Sequence, residues 1–160
     1  MDETSGQAQT PAQGEKANRK AGREDLRTDR SRYLAMIIDT NALSAAADDD
    51  PAVVAILGRV EQMAIPVIAL GEYRHGIAQS RNRATYENWL TALLSDCFVL
   101  DINEPTTHHY ADIILELKRK GNPIPTNDLW IAALCRQHSL PLLSRDRHFD
   151  QVSGIKRIGW

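Results

Sequence analysis

Short apolar runs that end on an acid, separated by segments with helical periodicity, restrict the fold of this chain more than any other feature. Residues 34–38 form such a run and are followed at once by Asp39, and residues 140–143 form another that gives out close to Asp146. Residues 65–69 and 98–102 are two more, each too short for a helix and long enough for a buried parallel strand. Between them the spacing changes. Asp50 followed by Pro51 predicts an N-cap with proline at the first helical position, and Val53, Val54, Ile56, Leu57, Val60 and Met63 supply a helical stripe. Residues 70–80 read as a helix with Glu72 in its first turn. Residues 84–95 read as another, with Tyr86, Trp89, Leu90, Leu93 and Leu94 inward. Pro105 opens a helix with Tyr110, Ile113, Ile114 and Leu117 inward, stopped by Gly121 and Pro123. Residues 128–137 form the last helix, and residues 155–160 an edge strand. Strands alternating with helices predict an α/β fold in which helices cover both faces of a parallel sheet.

The remaining features narrow the class. A chain of 160 residues with 42% hydrophobic residues holds one core of ordinary size. No apolar stretch reaches the roughly 18 to 20 residues of a membrane span, and the first 30 residues are too polar for a signal-peptide core, so the expected setting is cytoplasmic with no membrane partner. Cys97 and Cys135 lie far apart outside any C-x-x-C pattern and read as small buried hydrophobes. Residues 1–33 contain few large apolar side chains and are expected to be a disordered extension, leaving 34–160 as the domain. Met36 opens the first strand directly and is a candidate for the true or an alternative start.

Asp39 and Asp146 follow strands, while Glu72 and Asp128 sit at helix starts entered from the same sheet edge, so all four acids are expected at one rim. Ligands of open parallel sheets bind there. A single acid at such a place is usually a cap. Four at one rim repel each other and are normally held around a cation. Oxygen ligands without His or Cys favour Mg²⁺ or Mn²⁺, ions suited to phosphate chemistry. Arg145 and Arg147 flank Asp146 and are candidates for contacting the phosphates of a substrate. The blander readings prevail elsewhere. Lys118, Arg119 and Lys120 close a helix, the run 48–50 caps one, and Trp89 and Trp130 belong to the core. His108 and His109 have no second ligand at i+4.

The segments Met36-Ile37-Ile38-Asp39-Thr40-Asn41, Ile68-Ala69-Leu70-Gly71-Glu72, Asn127-Asp128-Leu129-Trp130-Ile131-Ala132-Ala133 and Leu142-Leu143-Ser144-Arg145-Asp146-Arg147-His148-Phe149 together resemble the PIN domain, and within it the VapC-type toxin ribonucleases. The resemblance implies a three-layer α/β/α sandwich with a central parallel sheet. It implies a divalent-metal site built from Asp39, Glu72, Asp128 and Asp146, with Asn41 and Ser144 orienting carboxylates or water. It also implies endonucleolytic cleavage of single-stranded RNA, leaving a 5′-phosphate and a 3′-hydroxyl. A homodimer and a cognate antitoxin protein are the partners it implies. An antitoxin-free ribonuclease of RNA processing and a non-catalytic PIN module binding RNA or protein are the alternatives. A phosphatase using Asp39 as nucleophile is disfavoured, because the second Asp its motif needs is replaced by Asn41.

Overall fold

The computed structural model describes residues 33–160, and its sheet holds five parallel strands in the order β3-β2-β1-β4-β5. In chain order the elements are β1 (Tyr33–Ile38), α1 (Thr40–Ala47), α2 (Pro51–Leu57), β2 (Val60–Pro66), α3 (Val67–Ala78), α4 (Arg83–Leu94), β3 (Cys97–Leu100), α5 (Glu104–Lys120), α6 (Thr126–His138), β4 (Leu142–Leu143), a 3₁₀ turn (Arg147–Gln151) and β5 (Arg157–Ile158). Apart from Tyr33, the extension expected over residues 1–33 lies outside the described residues. Tyr33 itself pairs with Val60 and opens β1, three residues ahead of Met36.

Burial explains the strand order. Met36, Ile37 and Ile38 are essentially inaccessible, as the middle strand of a covered sheet requires, and β1 takes that place between β2 and β4. Phe98 and Val99 of β3 stay exposed, and β3 is an edge. Parallel neighbours need a crossover, and each of the four pairings has one, down to the short loop and 3₁₀ turn between β4 and β5. From β1 the chain first builds outward through β2 to β3, then returns to the other side of β1 for β4. That reversal opens a crevice beyond the carboxyl ends of β1 and β4. The core beneath it joins Leu43, Ile65, Ile113, Leu117, Ile131, Leu134, Leu142, Leu143 and Phe149 from both layers of helix and the sheet, giving the three-layer sandwich expected.

Several boundaries differ from expectation. Val60 and Met63 belong to β2 rather than to the preceding helix, which stops at Leu57. Their spacing of three satisfies a helical stripe, but Gly58 ends the helix and the chain pairs with β1. The following helix begins at Val67, so Glu72 lies in its second turn. Neither α1 nor the 3₁₀ turn was expected. α1 is eight residues long and rich in alanine, so it offers almost no large-residue stripe to read. Among the described residues, no helix is long and apolar enough to cross a membrane.

Candidate active site

Asp39 ends β1 and caps α1, accepting from the Thr40 backbone N–H at 2.7 Å. Its other oxygen accepts from the Ser144 hydroxyl at 2.6 Å and from the Asn41 amide at 2.9 Å. Ser144, fully buried after β4, accepts in turn from the backbone N–H of Asp146 at 3.0 Å. The Asn41 amide also donates to Asp146 Oδ2 at 2.9 Å, and its carbonyl accepts from the Arg145 backbone N–H at 3.1 Å. Asn41 therefore clamps the end of β1 to the loop after β4. Adjacent parallel strands had to place these two loops side by side, and the clamp fixes the angle at which their carboxylates meet.

Glu72 reaches the same groove from α3. Thr40 Oγ1 donates to one of its oxygens at 2.5 Å and Asn127 Nδ2 to the other at 2.6 Å. Asp128 projects from the first turn of α6, with Oδ2 at 2.7 Å from His148 Nε2. That ring nitrogen is buried and makes no aligned hydrogen bond, so the contact is a close approach of the ring to the carboxylate. All four predicted acids, with Thr40, Asn41, Asn127 and the loop before α6, line one open groove of about 630 Å³. Thr40, Asn127 and His148 were not singled out from sequence. Asn127 and Thr40 adjoin predicted acids, which was the available signal. His148 carried none, because its contact depends on how the 3₁₀ turn folds back.

The electrostatics follow from this crowding. Burial pushes the Asp39 carboxyl above its ordinary range; the Ser144 and Thr40 donors oppose that, and Asp146 and Glu72 add to it by like-charge repulsion. Asp128 is pushed up to about 6, first by burial and then by Asp39 and Asp146, against the pull of His148. The donor set is all oxygen, apart from the imidazole beside Asp128. Among the described residues, no three His, Cys, Asp or Glu side chains stand together as a ready cage. Magnesium needs only one or two carboxylates and keeps several waters, so the residues present fit such an ion.

The two arginines differ. Arg145 pairs with Asp50 at 3.0 Å and lies over the Trp160 ring at 4.7 Å, engagements that hold it away from the groove lining. Arg147 is exposed on the 3₁₀ turn.

Fold and site together define a class: an α/β/α sandwich with a carboxylate-lined groove at the carboxyl edge of a parallel sheet. The chain belongs to the PIN domain family, whose model matches residues 36–155. It is 30% identical over 136 residues to Ribonuclease VapC2 of Haemophilus influenzae, an overlap spanning 79% of this chain and 98% of that one. It is 28% identical over 134 residues to the tRNA(fMet)-specific endonuclease VapC of Shigella flexneri, with 79% and 98% covered. The fold is similar to that of DNA-bound VapBC from Salmonella typhimurium, with a TM-score of 0.71, 25% identity, and 79% of this chain and 98% of that chain covered. It is also similar to VapBC2 from Rickettsia felis bound to promoter DNA, with a TM-score of 0.71, 23% identity, and 79% and 99% covered.

Proposed function

We propose that this chain is a metal-dependent endoribonuclease that cleaves single-stranded RNA, with Asp39, Glu72, Asp128 and Asp146 holding a Mg²⁺ or Mn²⁺ ion directly or through its waters. The single observation that carries this reading is the convergence of four carboxylates from four separate segments on one groove at the sheet's switch point. Membership of a family whose relatives are named ribonucleases supports the reaction. A divalent ion supplies Lewis acidity toward a phosphoryl oxygen and makes water acidic enough to attack near neutral pH.

The protein's own residues do the rest. Ser144, Asn41 and the Thr40 N–H hold Asp39 in one orientation, and Thr40 and Asn127 hold both oxygens of Glu72, so the carboxylates are arranged before substrate arrives. The relatives solved as VapBC complexes support a small antitoxin protein as the partner that blocks this groove, with the chain acting as the toxin of the pair. A homodimer and a cytoplasmic setting complete the reading.

The test is cleavage of a labelled single-stranded RNA by the parent and by Asp39→Asn, each with EDTA and with millimolar Mn²⁺. The parent should cut only with the ion. The variant should lose at least about a hundredfold in rate, because it replaces a charged ligand by a poor one for a hard cation. Cleavage by the parent in EDTA, or undiminished cleavage by the variant, would remove the metal site.

A further inference from the structure

We propose that a second groove beside the acidic one is a subsite for the RNA strand, taking a phosphodiester and its base on one side of the bond being cut. This rests on the ribonuclease reading above and adds to it the path of the substrate. The groove encloses about 380 Å³ between two walls, the loop 121–124 after α5 and the 3₁₀ turn carrying Arg147, His148 and Gln151. Both walls run directly into the lining of the acidic groove, the loop through residues 125–128 and the turn through Asp146. The contact of His148 with Asp128 stands where the two grooves meet.

The chemistry changes across that boundary. The first groove is lined by four acids and no cation. A polyanion held there alone would be repelled except at the ion. The second groove has no acid in its lining and one permanent cation, Arg147. Single-strand affinity comes largely from neutralised phosphates, so a cation next to an acidic centre is what such a substrate requires. Arg147 is available for it. Among the described residues its guanidinium has no hydrogen bond, and Asp150, the acid that attracts it, has both oxygens on Arg157.

The groove is also built rather than merely open. Asn122 Nδ2 donates to Gln151 Oε1 at 3.2 Å, joining the two walls, and Lys120 Nζ donates to the Gln151 carbonyl at 2.8 Å from behind. Pro123 and Ile124 give the loop wall an apolar surface for a base face, while the two amides offer donors and acceptors to a base edge.

The experiment is a nested set of single-stranded RNAs, lengthened one nucleotide at a time on either side of a mapped cut, cleaved in Mn²⁺ by the full-length parent, Arg147→Ala and Arg147→Lys. For the parent, kcat/KM should rise with length on one side and then level off. Arg147→Ala should flatten that rise, with a roughly tenfold loss on the longest RNA, carried by KM more than by kcat, and a much smaller loss on the shortest. Arg147→Lys should restore most of it. The dependence of log kcat/KM on log salt for the longest RNA should become shallower by about 0.7 in Arg147→Ala, the contribution of one single-strand phosphate. A length dependence that survives Arg147→Ala, or a loss equal at every length, would overturn the subsite. A parent that cuts none of the RNAs would instead overturn the ribonuclease reading.

Discussion

Asn41 concentrates the logic of the site in one side chain. Its single amide nitrogen stands 2.9 Å from Asp39 Oδ2 and 2.9 Å from Asp146 Oδ2, so it counters repulsion between two carboxylates without bringing a charge of its own. A lysine there would neutralise the acids and compete with a cation. Asn41→Ala should weaken Mn²⁺ binding by roughly 10- to 100-fold, the range typical for outer-shell partners of metal ligands, while the far-ultraviolet circular dichroism stays unchanged. Isothermal titration of the variant with Mn²⁺ checks this, and unaltered affinity would reduce Asn41 to a loop tie. Much of this was legible in the sequence. The acids could be placed at one rim because strand ends and helix starts share an edge in any parallel sheet. Asn41 and Ser144 could be assigned orienting roles because they sit within two residues of those acids. His148 was not legible, since nothing in Arg147-His148-Phe149 says which way a five-residue 3₁₀ turn will aim its ring.

At the scale of elements, the connection from α5 to α6 matters most. α5 begins with a capping box in which Asn103 accepts from the Thr106 N–H and Thr106 Oγ1 accepts from the Asn103 N–H. It ends on Gly121 at φ +70°, where the Asn122 N–H returns to the Leu117 carbonyl at 3.1 Å. No side chain stands within 4 Å of a Cβ built there, so only the backbone conformation resists substitution. Gly121→Ala should therefore destabilise the fold by about 1 kcal/mol, and Ser139→Gly, which relieves a residue at φ +54°, should change stability little or raise it. Urea denaturation of the two variants measures both, and a harmless Gly121→Ala would contradict the cap. Elements were readable wherever they carried a long apolar stripe and a stop signal, as α5 does. They blurred where a three-residue spacing served two structures, as at Val60 and Met63, and α1 vanished because alanines bury without leaving a pattern of large residues.

For the whole molecule, two sets of carboxylates oppose each other as pH changes. Burial alone would raise Glu116, but hydrogen bonds from Lys120, Ser153 and Arg136 hold it well below its ordinary range. A lowered folded value contributes stability above the unfolded value of 4.5 and loses it as pH falls below that. Asp128, raised to about 6 from 3.8, does the reverse, contributing fully below 3.8 and losing the contribution as pH rises through about 6, and the raised Asp39 acts in the same sense. In EDTA the melting temperature should therefore peak near pH 5 and fall by a few degrees toward pH 7.5. Millimolar Mn²⁺ should abolish the fall, because the ion binds the ionised carboxylates of the folded state. A melting temperature in EDTA that is level or rising from pH 5 to 7.5 would show that the acids are not strained. The order of assembly has a further consequence. Asp39 and Asp146, joined through Asn41, leave the ribosome 107 residues apart, counted from their positions 39 and 146. At about 5 to 20 residues per second, roughly 5 to 20 s of synthesis separate the first acid from the last. Until then the growing chain has only part of a site, so the complete set of four acids exists only once synthesis has passed residue 146, close to the end of the 160-residue sequence.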